Sequence, residues 1–142
     1  MKILIDTNVI LDFLLDREPF FESAEKLIQI VNEDRVEAYL TANSITDIVY
    51  MSRKKLSLDQ IQLLVLKMLE TIHVISVDKK DILAAFELGF SDFEDALQSA
   101  CSQKEQIDYI VTRNKKDFIH SKIEAIDISD FLEAHYTTTG NN

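Results

Sequence analysis

The sequence predicts a single three-layer α/β domain, with a central parallel sheet of about five strands flanked by helices. Short β-branched runs alternate five times with segments of helical periodicity, a pattern typical of parallel sheets joined by right-handed crossovers. The 142 residues, 46% of them hydrophobic, suffice for one core. Two glycines and one proline provide no interdomain linker. We therefore expect one domain over residues 1–132, followed by a disordered polar tail over residues 133–142.

The predicted strands are short runs in which branched or aromatic side chains predominate. They comprise residues 2–5, 36–40, 73–77, 109–112 and 123–127. In open parallel sheets, functional groups gather beyond the carboxyl ends of the strands, near the point where strand order reverses. The polar residues that follow strands are therefore the first candidates for a functional site.

The predicted helices are the segments in which apolar residues recur at three- and four-residue spacing. They comprise residues 9–15, 21–32, 43–51, 58–71, 79–88 and 93–104. The stretch IQLLVLKML is apolar on more than one helical face. Burial in the core explains this pattern, and the alternative is a surface for a second copy of the chain or for a partner protein.

Composition excludes several classes of protein. The formal net charge of −10 disfavours diffuse binding of nucleic acid, so any such partner needs local basic patches. Alternatively, the acidic residues hold a metal or attract a basic protein. The single cysteine, Cys101, excludes a disulfide framework and a zinc cluster and is predicted to be a small buried residue.

Location is predicted from the apolar segments. Asp6 and Asp12 interrupt the first apolar stretch, so it is not expected to be a signal peptide. No other apolar stretch is long enough to span a bilayer. We expect a cytoplasmic protein without membrane contact.

The stretch ILIDTN places Asp6 directly after the first strand. One explanation is a simple turn in which Asn8 caps the following helix. However, an ionised carboxylate emerging from a buried strand is costly unless it is paired or binds a metal. A functional role for Asp6 is therefore favoured.

Two further motifs combine acidic residues with helix starts. In SITD, Ser44 and Asp47 have the spacing of a capping arrangement, which by itself explains them. In SDFEDAL, Ser91 and Glu94 are predicted to form a capping box. That box would place Asp92 in the first helical turn and Asp95 on the same side, at the onset of the apolar stripe.

The stretch VTRNKKDF follows the fourth strand. The strand is predicted to end at Thr112, with Asn114 capping a short helix and Asp117 facing back toward it. The three histidines lie outside all of these motifs, so a Ser-His-Asp or Cys-His site has no support. Glycine-rich nucleotide loops are absent. An aspartyl phosphatase would need an acid where Asn8 stands.

In combination these motifs resemble the PIN-domain family, metal-dependent nucleases that include the VapC-type toxins of bacterial toxin-antitoxin pairs. The resemblance covers the chain from about Met1 to Phe131. ILIDTNVILD looks like the opening strand with its metal-binding aspartate, here Asp6. ANSITDIVY is similar to the second motif, with Asp47 in the place of the usual glutamate.

The other two motifs of the family lie in the second half of the chain. SDFEDALQSACS is similar to the third motif, with Asp95 before Ala-Leu and Asp92 as a neighbour. YIVTRNKKDF resembles the fourth motif, represented by Thr112, Asn114 and Asp117. The ordered set of four motifs is specific, whereas any single one is weak.

The resemblance implies a ribonuclease that hydrolyses RNA phosphodiester bonds with Mg²⁺ or Mn²⁺, as the toxin inhibited by a small antitoxin protein. A homodimer is a further expected assembly. The implied catalytic residues are Asp6, Asp47, Asp95 and Asp117, the metal ligands Asp6, Asp92, Asp95 and Asp117, and the supporting residues Asn8, Thr112 and Asn114. Arg113, Lys115 and Lys116 beside the fourth motif are the candidates for RNA contact, with solvated surface as their alternative.

Two residues depart from the family pattern. Asp47 is one methylene shorter than glutamate, so a water is expected between its carboxylate and a metal. Asn114 is neutral where many members carry aspartate, which shifts a ligand role to Asp117. The alternative hypothesis is therefore a PIN-like binding module that has lost catalysis.

Overall fold

A computed structural model describes residues 1–140, with side chains through His135. Five parallel strands form one sheet in the order β3-β2-β1-β4-β5. They are β1 (Lys2–Ile5), β2 (Glu37–Thr41), β3 (Ile72–Ile75), β4 (Tyr109–Thr112) and β5 (Ala125–Asp127). The predicted fold class is confirmed.

Helices cover the sheet and connect its strands. They are α1 (Thr7–Leu14), α2 (Phe21–Asn32), α3 (Ala42–Ser52), α4 (Leu58–Met68), α5 (Lys79–Glu87), α6 (Phe93–Glu105) and α7 (Ile128–Gly140). Each of the six predicted helical segments overlaps one of α1 to α6. A 3₁₀ turn, Lys115–Phe118, follows β4. The largest difference in a boundary is at the end of α4, which stops three residues before the predicted residue 71.

Helix α7 occupies most of the segment predicted as a disordered tail, because it continues through Gly140. Phe131 is fully buried in the main core and Leu132 is nearly so. The Arg35 guanidinium also donates a hydrogen bond to the carbonyl oxygen of His135. These contacts come from distant parts of the chain, so the polar composition of the last residues does not reveal them. Residues 141 and 142 lie outside the described residues.

Helix α4 is apolar on two faces, as its sequence predicts. Ile61 and Val65 are buried, whereas Leu63 and Leu66 are 70% and 55% exposed. The core therefore accounts for only one of the two faces. Within residues 1–140, α4 and the other helices fall short of the length and hydropathy needed to cross a membrane.

Strand β1 lies at the centre of the sheet, between β2 and β4. Its residues Ile3, Leu4 and Ile5 are completely buried. The chain proceeds from β1 to β2 and β3 on one side and later to β4 and β5 on the other, so strand order reverses between β1 and β4. The backbone amide of Asp6 still donates to the carbonyl oxygen of Val111 at 3.0 Å. The ends of β1 and β4 therefore lie side by side at this switch point.

Candidate active site

Asp6 is a buried carboxylate at the switch point, with 7% of its surface exposed. Its Oδ2 accepts a hydrogen bond from the Thr112 hydroxyl at 2.8 Å, and its Oδ1 accepts one from the Gln98 amide at 3.2 Å. Burial raises the pKa of Asp6, while these two hydrogen bonds and the charge of Arg113 act in the opposite direction. Neutral donors thus hold this carboxylate in place without neutralising it.

The start of α1 differs from the predicted cap. The helix begins at Thr7, and Asp6 rather than Asn8 occupies the N-cap position, in extended conformation and without a side-chain capping bond. Asn8 is exposed in the first turn. The backbone amide of Asn8 does lower the pKa of Asp6, but the side-chain hydrogen bonds of the carboxylate are with Thr112 and Gln98, so capping alone does not explain it.

Gln98 is a site residue that the sequence motifs did not identify. It is fully buried on α6, and its Nε2 donates to Asp6 Oδ1 and, at 3.5 Å, to Asp95 Oδ1. Its Oε1 is buried without a hydrogen-bond partner. The available signal was a glutamine within an apolar helical stripe, three residues after Asp95. Gln98 connects the two carboxylates and leaves one amide oxygen unused beside them.

Helix α6 begins one residue later than the predicted capping box requires. Asp92 is the N-cap, and its Oδ1 accepts a hydrogen bond from the backbone amide of Asp95 at 2.9 Å. The predicted pairing of Ser91 with Glu94 is therefore wrong. Asp92 is better suited to this cap because its short carboxylate reaches the amide at N3. Glu94 is consequently not used for capping.

Asp95 lies half-buried among several acidic side chains. Burial, together with the negative charges of Asp6, Asp92, Asp117 and Glu94, raises its pKa to about 7. Asp6 and Asp117, predicted from the first and fourth motifs, are therefore close enough to Asp95 of the third motif to perturb it. We call Asp6, Asp92, Glu94, Asp95 and Asp117 the acidic cluster.

Asp47 reaches the acidic cluster through Glu94. Burial and a hydrogen bond with the Asp47 carboxyl together raise the pKa of Glu94 to about 7, against the opposite effect of the Thr7 hydroxyl. Glu94 also feels the negative charge of Asp6. Glu94 was predicted only to cap α6, so its contact with these carboxylates is the second feature of the site that the motifs did not predict.

The predicted capping arrangement of Ser44 and Asp47 is also wrong. Helix α3 begins at Ala42, after Thr41 in the N-cap position. Ser44 is buried, and its hydroxyl is hydrogen-bonded to those of Thr7 at 2.7 Å and Thr41 at 2.8 Å. Because the helix starts earlier than predicted, Ser44 lies within its first turn and links the N-cap residue Thr41 to Thr7 of α1.

The fourth motif folds back on itself as predicted. The Thr112 Oγ1 accepts from the amide of Asn114 at 3.1 Å, and the Asn114 Nδ2 donates to Asp117 Oδ2 at 3.0 Å. Asn114 precedes the 3₁₀ turn without a side-chain capping bond. Its side chain therefore orients Asp117, and Thr112 links this turn to Asp6.

The three cations predicted to contact RNA differ in their surroundings. The Arg113 Nε donates to Asp12 Oδ2 at 2.8 Å, and its guanidinium lies 4.1 Å from the centre of the Phe20 ring. Asp12 is almost fully buried, so this ion pair anchors Arg113 within the protein. Lys115 and Lys116 are exposed beside Asp117.

The donor set suits a hard divalent cation. Mg²⁺ and Mn²⁺ prefer carboxylate, amide and water oxygens, and bound positive charge would relieve the repulsion that raises the pKa of Asp95. The unpartnered Gln98 Oε1 is a further buried oxygen at this place. Among the described side chains, no three from His, Cys, Asp or Glu already surround a common point.

Cys101 takes no part in the candidate site. Its side chain is buried, as predicted, and burial raises the pKa of the thiol to about 11. The thiol therefore stays protonated at neutral pH, which is unsuited to nucleophilic attack or metal binding.

Comparison with known proteins finds similarity along most of the chain. The sequence profile of the family described as "PIN domain" matches residues 2–116. The chain is similar to Ribonuclease VapC1 from Aquifex aeolicus (strain VF5), with 26% identity over 140 residues that cover 93% of this chain and 94% of the relative.

Solved structures agree with the fold. The structure of VapBC2 from Rickettsia felis bound to a DNA fragment from their promoter is similar, with a TM-score of 0.68 and 15% identity over 89% of this chain and 98% of that chain. The Mycobacterium tuberculosis sarcin-ricin loop cleaving toxin VapC20 is similar with a TM-score of 0.63 and 14% identity, over 76% of this chain and 86% of that chain.

Proposed function

Because the chain belongs to the PIN-domain family, we propose that it is a Mg²⁺- or Mn²⁺-dependent endoribonuclease, acting in the cytoplasm as the toxin of a toxin-antitoxin pair. The observation that carries the proposal is the position of the acidic cluster at the switch point between β1 and β4. Asp6, Asp95 and Asp117 come from three distant motifs and interact there. The names of the relatives support RNA as substrate, since one is a ribonuclease and another cleaves the sarcin-ricin loop.

The residues of the site have separable roles in this proposal. Asp6, Asp95 and Asp117 hold the cation, with Asp92 beside them. Thr112 and Gln98 orient the Asp6 carboxylate, and Asn114 orients Asp117. When bound, the cation supplies a Lewis acid that activates water and offsets charge on the scissile phosphodiester.

Contact with RNA is assigned to Lys115 and Lys116. Both are exposed, and both lie in the turn that carries Asp117. Since the chain has a net charge of −10, RNA is repelled by most of the surface and attracted only where cations are concentrated. These lysines would hold backbone phosphates next to the acidic cluster.

The proposed antitoxin has a candidate binding surface away from the acidic cluster. A groove of about 500 Å³ lies between α1, α2 and α4 and is largely apolar. Its apolar lining comprises Phe13, Leu14, Ile28, Leu64, Met68 and Ile72. Toxin-antitoxin complexes among the similar structures support such a partner. The exposed leucines of α4 are the candidate surface for a homodimer.

Substitution of Asp6 tests the proposed reaction. We expect the purified protein to cleave single-stranded RNA with Mn²⁺ and not with EDTA, and Asp6→Asn to abolish cleavage because the central carboxylate charge is lost. Cleavage is measured on labelled RNA, and circular dichroism verifies folding. Asp16→Asn is the matched control, since Asp16 is exposed and its positive φ suits asparagine.

Two results would contradict the proposal. Full Mn²⁺-dependent turnover in Asp6→Asn would remove Asp6 from the site. A wild-type protein that neither binds Mn²⁺ nor cleaves RNA would instead favour the PIN-like binding module without catalysis.

A further inference from the structure

We propose that Glu94 is a ligand for the divalent cation. It takes the place of the family's usual glutamate, which Asp47, one methylene shorter, does not fill alone. This inference rests on the proposed function, because it concerns the same cation. It adds to the site a residue of the third motif to which the resemblance assigns no role. Three features of the structure support it: the register of α6, a chain of buried hydroxyl groups and the contact with Asp47.

The register of α6 turns Glu94 toward Asp6. The helix begins after the Asp92 cap, so Glu94 and Asp95 precede Gln98 by four and three residues. Side chains at these spacings share one helical face. Gln98 lies on the face that contacts Asp6, as its hydrogen bond of 3.2 Å shows. Glu94 and Asp95 therefore both belong to the face that looks onto the Asp6 carboxylate.

A chain of buried hydroxyls ends at Glu94. Thr41, Ser44 and Thr7 are linked by hydrogen bonds of 2.8 and 2.7 Å, and all three are buried. A hydroxyl has one proton to donate. The Thr7 hydroxyl lowers the pKa of Glu94, so it favours the ionised carboxylate, and its hydrogen bond with Ser44 holds Thr7 in place. This chain gives the Glu94 carboxylate a fixed donor, in the way that donors outside a metal site orient its ligands.

The contact with Asp47 accounts for the shorter residue in the second motif. Asp47 lies on α3 and meets the carboxyl group of Glu94, which in turn interacts with Asp6. Glu94 thus stands between Asp47 and the centre of the acidic cluster. A glutamate on α6 reaches the position that the family's usual glutamate on α3 would occupy, and Asp47 serves as its partner.

Calorimetric titration of Mn²⁺ into the full chain tests this assignment. Glu94→Gln removes the charge while keeping the size of the side chain, and we expect Mn²⁺ affinity to fall by about 10–100-fold. Glu94→Asp keeps the charge but shortens the side chain, and we expect a loss as well. The matched control is Glu25→Gln on the exposed side of α2, for which affinity should stay within about twofold of wild type.

A rescue experiment distinguishes ligation from a general electrostatic effect. Introducing Asp47→Glu into the Glu94→Gln variant should recover most of the lost affinity, because a glutamate then reaches the cation from α3. Affinity that is unchanged in both Glu94 variants would overturn the inference while leaving the proposed function intact. If Asp47→Glu did not restore affinity, the inference that Glu94 and a glutamate at position 47 fill the same ligand position would be overturned. A wild-type protein without Mn²⁺ affinity would contradict the proposed function itself.

Discussion

Asp6 shows how a single carboxyl group can be buried and still available to a ligand. A buried carboxylate usually requires a cationic partner, yet the hydrogen bonds to Asp6 come from the neutral side chains of Thr112 and Gln98. The nearest cation acting on it, Arg113, is itself paired with Asp12. Hydrogen bonds therefore orient the carboxylate, and its negative charge is left for a ligand.

The same crowding of carboxylates predicts a pH dependence of stability. Asp95 and Glu94 have pKa values of about 7 in the folded protein, above the usual 3.8 and 4.5. At pH values between the unfolded and the folded pKa of these groups, the folded state binds more protons than the unfolded state. The free energy of unfolding therefore falls as pH rises. We expect a higher urea midpoint at pH 5.5 than at pH 8 in EDTA, because the carboxylates repel one another once ionised.

A divalent cation and a substitution provide the controls for this pH effect. Excess Mn²⁺ should stabilise the protein most at pH 8, since it binds the ionised carboxylates. Asp95→Asn should reduce the difference between the two pH values. A midpoint that is equal or higher at pH 8 without a divalent cation would contradict the predicted sign.

At the scale of elements, short polar links hold the site together. The turn after β4 is tied to α1 by the ion pair of Arg113 with Asp12 and to the end of β1 by Thr112. The buried Asp12 carboxylate also lies 3.6 Å from the Arg17 guanidinium, so two cations offset its charge. Arg113, which the sequence assigned to RNA, is therefore engaged in positioning this turn.

Helix α7 is expected to contribute to the stability of the core. Phe131 is fully buried in the core on a helix where the sequence predicts the end of the domain. Phe131→Ala should lower the free energy of unfolding by about 3–5 kcal/mol, through lost burial and the cavity left behind. Urea denaturation measures the change. Glu133→Ala, at an exposed position of the same helix, should change stability by less than about 0.5 kcal/mol.

The same experiment shows whether α7 is an integral part of the core. If Phe131→Ala were as mild as Glu133→Ala, α7 would be an appendage that contributes little to the core. The packing of α7 against α2 argues for the larger effect.

The whole molecule combines a strongly acidic surface with a local basic turn. In the Asp6→Asn background, where RNA is not cut, Lys115→Gln with Lys116→Gln should weaken binding of single-stranded RNA. Affinity falls with salt, so the slope of log affinity against log salt is negative. Each lost phosphate contact should make this slope less negative by about 0.7, or by about 1.4 for both. Fluorescence anisotropy of labelled RNA at several salt concentrations measures this slope.

The matched control uses the other basic cluster, at the end of α3. Arg53→Gln with Lys54→Gln removes the same amount of exposed charge and should leave the salt slope near that of the parent. If the salt slopes of the parent and of the double Lys115 and Lys116 variant were equal, these lysines would not contact RNA phosphates.

Local periodicity was enough to determine most of the fold. The apolar pattern around residues such as Ile3 to Ile5 depends on sequence neighbours alone, so it located all five strands and six helices. The order of strands and helices determined the parallel sheet, and residues directly after strands, such as Asp6 and Thr112, were identified for the same reason.

Only the tertiary structure decided which side chains meet. Gln98 and Asp6 are separated by 92 positions and Arg113 and Asp12 by 101, and nothing in a local pattern specifies such pairs. Glu94 was assigned to a helix cap because spacing within one helix cannot show which helix faces another. Strand order and helix packing set these contacts through burial of the whole core, which is a property of the complete chain.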